Sequence, residues 1–441
     1  MRKKKSIFAL FFAIIFAAAF FACAPQDDGG QPQGGHGSEE EEENMTETLS
    51  SARADFWWGN AASVTDNIYL YVGGASTAVT DNLSVRKDVT ATGGADKYMH
   101  TLSLTNIFYD HALFPALLRN AAIDYKTQQV YLAVPRPSEI SDASYREAVA
   151  SAVTEARRAA PEARVFAAVK SAADKTLCEG AIAGSDIAGK DDVAVLYGEN
   201  DAALAAAVQA VLDEGKRSVT QRPPEASRSN TVAIREGIQW NRILVSDFKN
   251  VGSRPRVLLI GDSISEGYGN AILGGGVLDN YTVDCFRTAR GVQDDALMRE
   301  LKWLLDSYRY DYIHFNIGLH HHNATTEAYR QNMSDFIENG LREYENGAKL
   351  LFSNSTPWFY VQNPPPAPPI EHPILDTAAN AKVAALNETM RALCAEIAVP
   401  YNDLHAYVLE NNIPMLDTVH YYDYSGLAEN VASFIKSNKL V

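Results

Sequence analysis

A serine at position 263 follows the apolar run Val257–Ile260 and the pair Gly261-Asp262. Such a run reads as a buried strand. A hydroxyl just beyond it stands at the carboxyl edge of a sheet, where open α/β sheets place their sites. Far along the chain, Asp417 precedes His420 by three residues. One turn of chain can then present an acid and an imidazole to a single serine. Nucleophilic catalysis by a hydroxyl needs these types: a base to take the proton and a carboxylate to orient the base. Each residue alone has a plainer reading. Ser263 or Asp262 suits the cap of a following helix, and Asp417 and His420 suit a surface turn. Their joint occurrence in this order favours catalysis.

The blocks Ile260–Ile264, His314–His320 and Asp417–His420 resemble, in order and spacing, those of the SGNH (GDSL) hydrolase family. The resemblance covers the second half of the chain, Trp240 to Lys436. It implies a flavodoxin-like three-layer fold and ester hydrolysis through an acyl-enzyme. Ser263 matches the family's nucleophile, His420 its base and Asp417 the orienting carboxylate. It also implies an oxyanion hole built from the Ser263 and Gly291 backbone N–H groups and a third donor. The family's third block carries an asparagine there; this chain reads Gly318-Leu319-His320, so His320 stands in its place. Asp262, His321 and Trp358 are candidate substrate contacts. Trp358 follows the strand-like run Lys349–Ser353 and is placed either to stack on a sugar or to pack in the core.

No cofactor is expected. Residues 320–322 are all histidine, but no acid stands at helical spacing to complete a metal site. Gly267, Gly269 and Gly274–Gly276 lack the context of a dinucleotide loop.

These motifs sit in a chain that alternates strand and helix signals, which predicts an α/β fold with parallel sheets. Strand signals lie at 68–72, 129–134, 164–169 and 192–197, with helices at 145–159 and 202–213. A second series has strands at 240–245, 256–260, 312–317 and 349–353, and helices at 326–344 and 427–436. We read two flavodoxin-like three-layer α/β/α units, the second an SGNH-hydrolase fold and the first a degenerate, non-catalytic copy arising by duplication. Ser76 holds a position like that of Ser263 in the first unit, but no Asp-x-x-His follows, so it should be inert. The assigned segments are 1–22, a lipoprotein signal peptide; 23–54, a flexible acidic tether; 55–220, the first unit; 221–235, a linker; and 236–441, the hydrolase domain.

The N-terminus has a basic start, Arg2–Lys5, and an apolar stretch, Ile7–Phe21, that is short for a membrane span. Ala22-Cys23 then resembles a lipoprotein cleavage site, with Cys23 lipidated. Cys178, Cys285 and Cys394 are expected to be buried and structural. A formal net charge of −16 argues against nucleic acid and suits an uncharged, carbohydrate-like substrate. The reading is an extracytoplasmic, lipid-anchored serine esterase acting on an acylated small molecule or glycan. Its rivals are a non-catalytic glycan-binding or surface-assembly lipoprotein and an O-acyltransferase.

Overall fold

In the computed structural model, the described residues are 52–59, 68–73, 79, 82–83, 98–104, 127–214 and 238–439, with short breaks at 139, 248–249, 251, 293–294, 322–323, 345–346 and 361–366. The signal, Cys23, Ser76, His322 and the linker lie outside them. Twelve strands among these residues form one sheet. They are β1 (Ala52–Gly59), β2 (Ile68–Gly73), β3 (Tyr98–Leu104), β4 (Thr127–Ala133), β5 (Arg164–Val169) and β6 (Val193–Tyr197) in the first half. The second half supplies β7 (Ile238–Val245), β8 (Arg256–Gly261), β9 (Thr282–Thr288), β10 (Tyr312–Asn316), β11 (Lys349–Ser353) and β12 (Tyr401–Asn402).

The sheet order is β12-β11-β10-β8-β9-β7-β1-β3-β2-β4-β5-β6. Taking β8 as first, the parallel part of the second half runs 2-1-3-4-5, the flavodoxin-like order, and taking β2 as first, so does the first half. The expected parallel α/β architecture therefore holds within each half. The exceptions are β1 and β7, each antiparallel to its neighbours. These two strands pair with each other over eight residue positions, Ala52 against Val245 to Gly59 against Ile238. The halves share one sheet through this joint and do not keep two separate ones. β1 also begins at Ala52, inside the stretch assigned to the tether.

The helices among the described residues are α1 (Asp142–Ala159), α2 (Ala172–Gly184), α3 (Asp201–Asp213), α4 (Ser263–Gly275), α5 (Asp295–Ser307), α6 (Thr326–Phe336), α7 (Thr377–Glu396), α8 (Leu404–Asn411) and α9 (Ser425–Ser437). Strand alternation decides which face each one covers. Along β8, Leu258 and Ile260 join a core with α5, α6 and α7, while Val257 and Leu259 face α4, α8 and α9. Along β4, Val130 and Leu132 join the first of these cores, together with α1 and α2, and Tyr131 faces α3. One apolar layer thus runs under both halves, which gives the three-layer arrangement. Cys178, Cys285 and Cys394 are buried free thiols. No helix among the described residues is long and apolar enough to cross a membrane.

Candidate active site

Strand β8 lies where the crossovers diverge: β9 lies on one side of it and β10 on the other. Its carboxyl end is therefore the crevice that this topology opens for a ligand. Gly261 ends the strand, Asp262 caps α4 by accepting the Ile264 N–H at 3.0 Å, and Ser263 opens the helix. The Ser263 N–H thus lies at the positive end of a helix dipole.

The acid and base come from a tight hairpin after α8, closed by the Leu416 N–H donating to the His420 carbonyl at 2.8 Å. His420 Nε2 lies 2.9 Å from Ser263 Oγ and His420 Nδ1 lies 2.7 Å from Asp417 Oδ2. A carboxylate only accepts, so Nδ1 carries the proton and Nε2 is left to take one from the hydroxyl. Asp417 Oδ1 accepts the N–H groups of Val419 and His420, each at 2.9 Å. Burial would raise the Asp417 pKa; the His420 charge, its hydrogen bond and these two amides outweigh it and hold the carboxyl below its ordinary value. The carboxylate is therefore kept ionised and fixed in direction. The His420 side chain is 13% exposed.

Two close approaches align the hairpin with α4 and the ends of β10 and β11. A Cβ on Gly267, one turn beyond Ser263, would lie 2.2 Å from the ring of Tyr424, which follows the hairpin. The Tyr424 hydroxyl accepts the Tyr421 N–H at 3.3 Å. A Cβ on Gly318 would lie 2.0 Å from Ser355 Oγ. Asn316 ties the same strand ends by donating from Nδ2 to the carbonyls of Ser353 and Asn354 at 3.2 and 2.9 Å. On the other flank, Glu266 of α4 pairs with Arg242 of β7, the strand that joins the two halves.

The remaining predicted residues divide. Gly291 lies just past β9 and His320 in the turn Leu319–His321 just past β10, so both stand on strands adjacent to β8. Asp262, expected at the substrate, is 1% exposed and serves as the helix cap. His321, also expected there, is instead fully buried with its ring 5.5 Å from that of Tyr329, because its turn points it into the core. Trp358 is half-buried against the core beneath α4 and α9, and Asn380 of α7 holds its backbone, accepting the N–H at 3.1 Å. Among the described residues no group of three or more His, Cys, Asp or Glu is arranged to hold a metal ion.

His314, on β10 beneath the site, bonds through Nε2 to Ser353 Oγ at 2.7 Å and packs against Tyr268 and Phe434. Burial lowers its pKa from the usual 6.5 to about 3. The unfolded chain takes up a proton below pH 6.5 that the folded protein refuses. Stability is then full above that pH and drains as the pH falls toward 3. We expect the melting temperature to drop between pH 6.5 and 4. The drop should be shallower in His314→Gln, read by thermal melts across that range.

Residues 259–423 match the family model described as the GDSL-like lipase/acylhydrolase family. The matched stretch is similar to that family and includes Ser263, Asp417 and His420. A search of curated proteins gave no match. Solved structures similar to part of this chain include the periplasmic domain of a lipopolysaccharide acetyltransferase from Salmonella ser. Paratyphi A, at 10% identity over 42% of this chain and 83% of that one, with a TM-score of 0.31. The C-terminal catalytic domain of peptidoglycan O-acetyltransferase A from Streptococcus pneumoniae matches at 15% identity over 42% of this chain and 93% of that one, with a TM-score of 0.29. A putative GDSL-like lipase from Parabacteroides merdae matches at 14% identity over 43% of this chain and 96% of that one, with a TM-score of 0.31.

Sequence reasoning missed two exposed tyrosines near the GDSL-like site. Tyr360 is 60% exposed and Tyr422, two residues past His420, is 58% exposed. Tyr360 lies on a proline-rich excursion after β11, which docks on the acid-base hairpin through the Phe359 N–H and the Thr418 carbonyl at 2.8 Å. Nothing in the sequence around Phe359 says where that segment docks.

Proposed function

We propose that this protein is a serine esterase that removes acetyl groups from carbohydrate outside the cytoplasm. The observation that carries this is the unbroken chain of hydrogen bonds from Ser263 through His420 to Asp417. Ser263 Oγ bonds to the ester carbonyl carbon as its proton passes to His420 Nε2. The oxyanion forms beside the Ser263 N–H. Collapse breaks the ester bond, and the departing alkoxide takes the proton from His420. Water then repeats the sequence, releasing the acid and restoring the hydroxyl.

The sugar side of the reading is supported by the exposed Tyr360 and Tyr422 rings, which offer flat apolar faces with a hydroxyl at the tip, and by the net charge of −16, which disfavours anionic partners. The address outside the cytoplasm, with a lipid anchor on Cys23, rests on the sequence of residues 1–23. We expect Tyr360→Ala and Tyr422→Ala to raise KM for an acetylated oligosaccharide about tenfold, equivalent to about 1.4 kcal/mol, and to leave KM for an aryl acetate unchanged. Equal effects on both substrates would remove the tyrosines from sugar binding. The deciding experiment for the function is acetate release from a panel of acetylated polysaccharides, wild type against His420→Ala. Release from none of them, with an aryl ester still hydrolysed, would discard the carbohydrate and keep the esterase.

A further inference from the structure

His320 stands where a side-chain oxyanion donor is expected, yet one of its nitrogens is committed elsewhere. Nδ1 lies 2.9 Å from the carbonyl oxygen of Ala289. A carbonyl only accepts, so Nδ1 carries the proton and donates it there. The neutral ring then presents Nε2 as an acceptor. It can donate from Nε2 only as an imidazolium, whereas an asparagine amide donates whatever the pH.

The acceptor of that bond begins the turn that carries Gly291. The turn is held from its other sides as well. The Ala289 N–H donates to the Trp240 carbonyl at 2.8 Å, and the Arg290 N–H donates to Thr288 Oγ1 at 2.9 Å. The Thr288 hydroxyl in turn donates to Asn241 Oδ1. His320 is fixed at its own end by the His321 N–H donating to the Gly318 carbonyl at 2.9 Å.

We propose that His320 is a positioning residue. Its Nδ1–H clamps the end of β9 to the end of β10 and so holds the Gly291 N–H where the oxyanion forms. The proposal rests on the serine-esterase reading.

Two substitutions separate the nitrogens. An asparagine amide nitrogen falls near the Nδ1 position of histidine, and a glutamine amide nitrogen near Nε2. In the full chain, assayed with an aryl acetate, His320→Asn is expected to stay within about threefold of wild type. His320→Gln and His320→Ala should each lose about 10²-fold in kcat, the usual loss for one oxyanion donor, with KM little changed. Affinity for a boronic acid, a tetrahedral mimic, should fall in parallel with kcat. Because Nδ1 keeps its proton in both charge states of the ring, the wild-type and Asn pH profiles should superimpose.

An active Gln variant beside an inactive Ala variant would make Nε2 the working atom and overturn the clamp. So would a loss of wild-type activity with rising pH that His320→Asn abolishes. The ring can also be read without turnover: the imidazole ¹⁵N spectrum should show the Nδ1–H tautomer, and an Nε2–H tautomer would overturn the assignment. If the wild type neither hydrolyses the ester nor labels with a fluorophosphonate, the esterase reading falls, and the role of His320 in catalysis falls with it.

Discussion

Ser263→Ala is expected to lower kcat toward a short-chain aryl ester by about five to six orders of magnitude, the loss typical of a missing serine nucleophile. His420 Nε2 is positioned to deprotonate this hydroxyl, at 2.9 Å. Folding should be spared. The cap of α4 is Asp262, not Ser263, and alanine is the best helix former. We therefore expect a stability change of less than about 0.5 kcal/mol, as for substitutions that remove no core contact. Residual turnover of about 10³-fold over water should survive, because the oxyanion donors remain. Adding His420→Ala to the alanine variant should cost little more, since the two act as one unit. Measured kcat, thermal melts and fluorophosphonate labelling check the three parts. An alanine variant that still turns over at the wild-type rate removes Ser263 from the chemistry.

The Ser263–His420–Asp417 cluster was legible because the proposed chemistry dictates residue types. A hydroxyl after an apolar strand and an acid three residues before an imidazole leave few other uses, and the hairpin that joins Asp417 to His420 is local. What the sequence hid is non-local or runs against composition. β9 carries the buried charges Asp284 and Arg287 among its apolar residues, so its run is interrupted and the strand escapes notice. The β1·β7 joint depends on two strands far apart in the chain, and no local pattern announces it. Asp262 and His321 adjoin the candidate site blocks, but position beside a motif does not decide direction: one caps a helix and the other turns inward. The tautomer of His320 depends on a carbonyl from another strand.

The shared sheet also changes what the first half is for. β7 lies between β9 and β1, and its Arg242 pairs with Glu266 one turn from Ser263. Without β1, the full length of β7 would be an unpaired edge, a template for association with other chains. The first half therefore covers the edge of the strand that carries Arg242.

The largest stability effect should come from the amino end of β8, at the opposite edge of the sheet from Ser263. Asp284 is fully buried and accepts three hydrogen bonds, from Arg256 Nε at 2.7 Å, the Tyr310 hydroxyl at 2.9 Å and the Ser246 N–H at 2.9 Å. The Arg256 guanidinium also donates to Asn250 Oδ1 at 2.9 Å and to the Asp247 carbonyl at 3.0 Å, and lies 4.0 Å from the Tyr308 ring centre. It stays protonated: burial alone would lower its pKa, but the Asp284 carboxylate outweighs that and raises it. Asp284→Ala leaves this cation buried without its counter-charge, which costs about 3–5 kcal/mol. That is a large share of the 5–15 kcal/mol, roughly, that holds a typical fold together. Arg256→Ala should cost as much, by stranding the carboxylate. Arg256→Met combined with Asp284→Leu should cost far less than the sum of the two alanine variants, because it removes both charges at once and refills their volume. Activity at a temperature where the variants remain folded should be close to wild type, since about 17 Å of strand separates residue 256 from residue 261 at roughly 3.3 Å per residue. Denaturant melts of the four proteins decide the matter: an Asp284→Ala variant within about 1 kcal/mol of wild type would mean that the pair is solvated, not sealed.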